Sequence, residues 1–279
     1  MATVPALLAE GTLRLAAPAE ARTLLAHALG VEPSRLALVD DVPSEVAAAY
    51  EGLVARRAAG EPVQYLTGRA WFRTVEVAVE PGVFVPRPET ELMTGWAIER
   101  LAALPGRPVV VELCAGSGAI SAAIAAERPG CRQYAVELSS TAARVAEENL
   151  AGTGVSLVEG DMADAFGELD GTVDLVIANP PYIPLEAWEH VAVDVRTHEP
   201  ELALFSGADG LDALRVVARV AARLLRPGGF VCAEHAEVQG EAVVDVFAAT
   251  GGYAQVADHP DYNDRPRYVT AVRAGKLAG

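Results

Sequence analysis

The sequence predicts an α/β fold: a mostly parallel sheet with helices on both faces, preceded by a small helical segment. Three observations carry this. Residues 1 to about 70 show helical periodicity alone. From Pro108 onward, short apolar runs alternate with helical stretches, the pattern of βα units. Between them, residues 71 to 85 switch to a two-residue period.

The elements follow in order. Ala19 to Leu29 is rich in Ala and Leu and stops at Gly30. Pro43-Ser44-Glu45 opens the next helix, where Val46, Tyr50, Leu53 and Val54 form one apolar stripe and Gly60 ends the run. Val75, Val77 and Val79 alternate with polar or small residues, and Pro81-Gly82 marks a turn, which together predict a β-hairpin linker. Pro88-Glu89 starts a helix through about Leu104. Seven strands are predicted at 108–113, 132–137, 155–158, 173–178, 229–235, 253–258 and 267–273, the last two as a hairpin. Leu224-Leu225-Arg226-Pro227-Gly228-Gly229 reads as the turn before the fifth. The predicted boundaries are a helical domain over 1–70, a hairpin linker over 71–87 and an α/β domain over 88–279.

Composition narrows the function. Lys+Arg 22 against Asp+Glu 38 gives a net charge of −16 and argues against a polyanion held by general electrostatics. The basic residues are almost all Arg; Lys276 is the only lysine. Cys114, Cys131 and Cys232 fall in or beside apolar runs without a Cys-x-x-Cys, so buried reduced thiols are expected. The five histidines show no ligand pattern and no metal site is expected. The N-terminus lacks a basic region before a long apolar core, and no apolar run reaches ~18 residues. A cytoplasmic protein without a membrane span is expected.

Two segments carry chemistry. Asn179-Pro180-Pro181-Tyr182 follows the apolar run 173–178 and so sits where a buried strand ends. A planar amino group is a poor nucleophile, because its lone pair is delocalised. A site that modifies one must hold it edge-on and accept from its two N–H groups. The Asn179 side-chain oxygen and the Pro180 carbonyl can be those acceptors. The prolines fix φ and add no competing donor, and Tyr182 offers an aromatic face to a flat target. The plainer alternative is a Pro-Pro turn ending a strand. Upstream, Val109 to Leu113 runs into Cys114-Ala115-Gly116-Ser117-Gly118, a strand followed by a small-residue turn and a helix. Glu112 stands at the end of that strand, and Gly116 and Gly118 let a ligand approach the backbone. The second strand ends in Glu137, suited to a ribose diol, and the third leads to Asp161-Met162, suited to an adenine amino group and ring. Each acid alone reads equally as a solvated carboxylate or a helix cap; three at successive strand ends argue for a cofactor.

The glycine-rich turn with its acids resembles motif I of S-adenosylmethionine-dependent methyltransferases. More of the chain resembles the release-factor glutamine methyltransferases (HemK/PrmC type). Glu61-Pro62-Val63-Gln64-Tyr65-Leu66-Thr67-Gly68 is similar to that family's hinge. Val85-Pro86-Arg87-Pro88-Glu89-Thr90-Glu91 is similar to its most specific signature. Asn179 to Pro184 is followed by Glu199-Pro200, Ala203-Leu204-Phe205 and Gly207-Ala208-Asp209-Gly210-Leu211, as in the family. Two departures stand out. Cys114 occupies the place of the usual first glycine and suggests a turn that tolerates a Cβ. Asp261-Tyr262-Asn263-Asp264-Arg265 replaces the usual Asp-x-x-Gly-Arg-Asp-Arg and leaves the shape of the last hairpin open.

The resemblance implies a class I, Rossmann-like methyltransferase domain of seven strands. It implies methyl transfer from S-adenosyl-L-methionine, leaving S-adenosyl-L-homocysteine, to the Gly-Gly-Gln glutamine of class I peptide chain release factors; the N-terminal helices read equally as the domain that docks the release factor and as a helical cap packed on its own core. The expected catalytic residues are Asn179, Pro180 and Tyr182, with Pro181 joining them in binding the substrate. The expected cofactor residues are Glu112, Cys114, Ala115, Gly116, Ser117, Gly118, Glu137, Asp161, Met162 and Asn179. Two alternatives stay open: a nucleic-acid amino-methyltransferase acting on a flipped base, and a non-catalytic interaction module. Arg87 is expected to pair either with the cofactor carboxylate or with Glu89 or Glu91. Glu199 is a candidate support for the Asn179 loop or a plain surface acid, Glu234-His235 a strand end that is structural or faces the pocket, and Trp71 and Phe72 hinge core rather than a substrate platform.

Overall fold

The computed structural model describes residues 2–190 and 193–275. They fall into two compact units: Met1–Arg69 with Ala192–His198, and Ala70–Val191 with Glu199–Gly279.

The first unit holds β1 (Ala2–Thr3), α1 (Val4–Leu15), α2 (Pro18–Leu29), β2 (Asp41–Val42), α3 (Ser44–Ala58) and α4 (Val63–Thr67). Thr3 caps α1, its hydroxyl accepting from the Ala6 N–H at 3.4 Å. Proline in the first turn of α2 and Gly30 just past its end fix that helix. Tyr50 and Val54 of the α3 stripe are fully buried with Leu7, Leu24 and Leu36. The Tyr50 hydroxyl donates to the Leu7 carbonyl at 3.3 Å. Gly11 leaves room for it, since a Cβ there would collide with that hydroxyl.

The second unit begins with a hairpin, β3 (Arg69–Phe72) and β4 (Val75–Ala78). Its turn is at Arg73-Thr74, earlier than the Pro81-Gly82 signal, and Arg73 takes a positive φ of 52°. Strand alternation sends Phe72 inward and Trp71 outward, so Phe72 is buried but Trp71 is 69% exposed. The expectation of hinge core therefore fails for Trp71. α5 (Pro88–Ala102) ends two residues before Leu104.

The sheet follows as β5 (Val109–Leu113), α6 (Ala119–Glu127), β6 (Arg132–Glu137), α7 (Ser140–Leu150), β7 (Ser156–Glu159), β8 (Val173–Ala178), α8 (Val193–His198), α9 (Glu201–Leu204), α10 (Asp212–Leu224), β9 (Leu225–Glu234), α11 (Gly240–Ala249), β10 (Tyr253–Pro260) and β11 (Pro266–Arg273). α8 belongs to the first unit. The strand order is β10-β11-β9-β8-β5-β6-β7. β11 pairs antiparallel with β9 and β10, and the remaining pairs are parallel. The order reverses at β5, where β6 and β8 flank it, and that switch point opens a crevice at the strand C-termini. β5 and β8 read as continuous apolar runs because helices cover both faces; Val111, Leu113, Leu175 and Ile177 are all fully buried. Each such side chain contributes about 1.5–3 kcal/mol.

Two expectations shift in detail. β9 starts at Leu225, not 229: the register jumps from Val173↔Leu225 to Leu175↔Phe230, so Arg226 to Gly229 form a bulge within the strand. In the last hairpin, Asp261 replaces the missing glycine chemistry. Its Oδ1 accepts from the Asn263 and Arg265 N–H groups at 2.8 and 3.2 Å, and Asp264 takes the positive φ of 58°.

Candidate active site

The switch-point crevice is a cavity of about 310 Å³, lined wholly by the second unit. The loops after β5, β6 and β7 form one wall, and the loop after β8 forms the other.

On the first wall, Glu112 at the end of β5 is 1% exposed. Its Oε2 accepts from the Ser121 N–H at 2.9 Å and from the Ser121 hydroxyl. Its Oε1 has no partner among the described residues. Burial pushes this carboxyl up to about 8 against the pull of Ser121. Glu137 at the end of β6 already ties two loops together. One oxygen accepts from the Gly116 N–H at 2.7 Å and the other from the Ser139 N–H at 2.8 Å. Asp161 is exposed and accepts from the Ala163 N–H at 2.8 Å. Met162 lies with its sulfur 3.5 Å from the Cys114 Sγ.

Glu112, Cys114, Ala115, Gly116, Ser117, Glu137, Asp161, Met162 and Asn179 all line the cavity. Gly118 does not; a Cβ there would sit 3.1 Å from Leu150 and 3.3 Å from Ala146, so Gly118 serves the close approach of α6 to α7. Cys114 has φ 60°, in the left-handed region. The turn does hold a Cβ, but in a backbone conformation that glycine adopts more readily, at a cost of about 1–2 kcal/mol. Of the three thiols only Cys232 is fully buried. Among the described residues no His, Cys, Asp and Glu cluster could hold a metal.

On the second wall, Asn179 donates through Nδ2 to the Thr90 Oγ1 at 3.1 Å. Thr90 in turn donates to Glu234 Oε2 at 2.6 Å, and the Tyr182 hydroxyl donates to Glu234 Oε1 at 3.1 Å. With its nitrogen on Thr90, Asn179 has Oδ1 as the atom able to accept from a ligand. Pro181 and Tyr182 line the cavity; Pro180 is buried and lies outside the lining. Burial raises the Tyr182 phenol above its ordinary value, with the Glu234 charge adding to it.

The rest of this loop is strapped by distant segments. Gln239 Nε2 donates to the Tyr182 and Asp209 carbonyls at 2.9 and 3.2 Å. Ile183 N–H donates to the Leu204 carbonyl at 2.8 Å, and Ser206 N–H returns to the Ile183 carbonyl at 2.9 Å. Gly210, with φ 76°, is required here, because a Cβ would strike the Tyr182 carbonyl and come within 2.6 Å of Gln239.

Arg87 pairs with the buried Glu199 rather than with Glu89 or Glu91, and its guanidinium sits 5.1 Å from the Phe84 ring centroid. It is not part of the lining. Glu234 is buried and reaches the cavity only through Thr90 and Tyr182. His235 turns away to Asp258 at 3.0 Å. Sequence reasoning missed three contributors. Thr90 was one letter of a signature, with nothing local to mark its role. Gln239 had no signal. Asn149 on α7 holds the Ser117 carbonyl at 2.9 Å and the β4 residue Ala78 at both its N–H and its carbonyl.

The seven-stranded sheet with its antiparallel terminal strand, a cavity at the strand C-termini, and a match to the methyltransferase small domain place the chain among the methyltransferases. A solved methyltransferase from Pyrococcus furiosus shares the fold, with TM-score 0.52 and 18% identity, covering 81% of this chain and 98% of that one. Two family models match: the PrmC N-terminal domain over residues 6–68 and the methyltransferase small domain over residues 74–197. The release factor glutamine methyltransferase of Streptomyces coelicolor is 52% identical, across 91% of this chain and 90% of its own. The 4-amino-L-phenylalanine/4-methylamino-L-phenylalanine methyltransferase of Streptomyces pristinaespiralis is 44% identical, across 92% and 88%. The chain belongs to the release factor glutamine methyltransferase family. No helix among the described residues is long and apolar enough to cross a membrane.

Proposed function

We propose that this enzyme methylates the side-chain amide nitrogen of the Gly-Gly-Gln glutamine of class I release factors, with S-adenosylmethionine as donor. The single observation that carries the chemistry is the orientation of Asn179: its nitrogen is occupied by Thr90, so it meets a ligand as an acceptor.

The first wall fits the donor. Glu112 Oε1 is an orphaned buried acceptor, suited to an N–H-bearing or cationic group. A Cβ on Gly116 would meet nothing within 4 Å, so the space over that loop is open. Glu137 retains lone pairs for ribose hydroxyls beside its backbone partners, and Asp161 and Met162 suit the purine. When bound, the donor supplies an electrophilic methyl group on a sulfonium. Asn179 Oδ1 accepts one N–H of the target amide and the Tyr182 ring lies against its plane, whereas Pro180, the second acceptor the sequence suggests, stands outside the cavity lining. The Asn179 acceptor orients the nitrogen lone pair and offsets positive charge developing on the amide. The nitrogen would take the methyl as the methyl–sulfur bond breaks, the neutral thioether S-adenosylhomocysteine leaving, and would shed one proton to water. Holding both reactants in one crevice lowers the entropic part of the barrier.

A relative 44% identical is named for an arylamine amino acid, so identity alone does not select the acceptor. The test is methyl transfer measured in parallel on a release factor, its Gln→Ala loop variant, 4-amino-L-phenylalanine, and DNA and RNA. Transfer to the intact release factor alone is expected; transfer to the loop variant, or to the arylamine or nucleic acid only, would replace this reading. The first unit is the part we assign to release-factor docking, since one glutamine side chain offers too few contacts for selection. Deleting residues 1–70 should raise KM for release factor strongly and leave donor affinity unchanged, by calorimetry beside steady-state assays; an unchanged KM would make that unit a structural cap.

A further inference from the structure

We infer that Thr90, held by Glu234, is a positioning residue that decides which end of the Asn179 amide faces the acceptor. The inference rests on the proposed use of Asn179 Oδ1.

An asparagine amide is nearly symmetric in shape and opposite in polarity at its two ends. Turned over, Asn179 would present donors to a target that also presents donors. Its own loop offers little to prevent this, because Pro180 and Pro181 carry no N–H. Thr90 supplies the discrimination. A hydroxyl has one hydrogen, and at 2.6 Å Glu234 Oε2 takes it. Toward Asn179, Thr90 is therefore only an acceptor, and Nδ2 at 3.1 Å is the only end that fits.

Glu234 cannot readily turn to release that hydrogen. It is 1% exposed, and its other oxygen accepts from Tyr182 at 3.1 Å. Burial raises the Glu234 carboxyl above its ordinary value, and the hydrogen bonds from Thr90 and Tyr182 and the Arg267 cation from β11 oppose that shift and favour the carboxylate. A carboxylate accepts at both oxygens, so polarity runs one way along Asn179, Thr90 and Glu234. Tyr182 feeds the same carboxylate from the other side, which ties the ring and the amide of one loop to one anchor.

Thr90→Val keeps the shape and removes the hydroxyl. A reacting group misplaced by about 1 Å through loss of such a partner can cost on the order of 10²-fold. Thr90→Val should lower kcat by about that factor with S-adenosylmethionine Kd unchanged by calorimetry, and Thr90→Ser should recover most of the loss. A purely structural role would move melting temperature and Kd together and would not be repaired selectively in kcat. Should Thr90→Val fail to fold, the double variant Thr90→Val/Glu234→Met removes both buried partners together and should show the same fall in kcat. Wild-type kcat in a folded variant lacking the hydroxyl overturns the inference. Wild-type enzyme and Asn179→Ala run alongside on release factor and on 4-amino-L-phenylalanine. If neither acceptor depends on Asn179, the proposed function fails first; if one does, the Thr90 variants are read on that acceptor.

Discussion

The two walls of the crevice are built in different ways. The donor wall is mostly local, its longest ties being Met162 beside Cys114 and Asn149 to Ala78. Glu112 and Ser121 are nine residues apart, and Glu137 and Gly116 are 21 apart. Backbone N–H groups and small residues do most of the positioning there. The acceptor wall is assembled from afar: Asn179 to Thr90 spans 89 residues, Thr90 to Glu234 spans 144, and Gln239 to Tyr182 spans 57. Side chains from α5, β9 and the segment before α11 converge on one loop. A local wall tolerates change elsewhere in the chain, whereas a converged wall reports on the whole sheet being folded.

Substitutions should therefore separate the walls. Asn179→Ala removes a transition-state acceptor, a loss typically of about 2.7–4 kcal/mol. Turnover should fall by roughly 10²–10³, with donor affinity nearly unchanged by calorimetry; near-normal turnover removes the proposed chemistry. Gly210→Ala should come next. Its Cβ displaces the Tyr182 carbonyl and Gln239, and a non-glycine residue at φ 76° adds strain of about 1–3 kcal/mol. It touches no ligand, yet should lower kcat and thermal stability while sparing donor affinity. Normal kinetics in this variant would mean the acceptor loop does not need its strap.

On the donor wall, Glu137→Ala should raise donor Kd by about 10–100-fold, from charge-assisted bonds of ~1.5–3 kcal/mol. Saturated kcat should change less, because that binding is equal in ground and transition states. Unchanged Kd would move the ribose site elsewhere. The smallest effect concerns Glu112. Its folded-state value is raised from 4.5 to about 8 by burial, so the folded form binds the extra proton. Its contribution to stability is complete below pH 4.5 and is lost as pH rises toward 8. Glu112→Gln should flatten that slope and raise Tm at pH 8 by a few degrees, at roughly 2–4 °C per kcal/mol for a domain of this size. Identical Tm–pH curves for the two proteins would show that the carboxyl is not buried in solution.

The same contrast sets what was legible in the sequence. The strands and the acids at their ends are written in contiguous runs, so β5, β6 and β8 fall within a residue of expectation. Glu112, Cys114 to Ser117, Glu137, Asp161 and Met162 were visible as one ordered series, and all reach the cavity. Gly118 lies outside the cavity lining; a glycine needed for helix packing looks the same in sequence as one needed for a ligand. Thr90, Gln239 and the Arg87–Glu199 pair were opaque: each acts across more than 50 residues, and no local period encodes such a partner. The Leu225 bulge was hidden because Arg-Pro-Gly-Gly is ordinary turn chemistry, overridden here by pairing with β8.

The backbone bridge between Ile183 and Phe205 has one more consequence. It pins both ends of the excursion that leaves the acceptor loop after Ile183 and returns before Phe205. Closing a loop costs an entropy that grows only logarithmically with its length, about 0.6 kcal/mol for each doubling. Changes of length inside this excursion, away from Glu199 and the cavity-lining residues up to Leu204, therefore cost little closure entropy and leave the clamp on Ile183 in place. Over evolutionary time the chain has a place to try new contacts with what it modifies while the atoms that perform the transfer stay where they are.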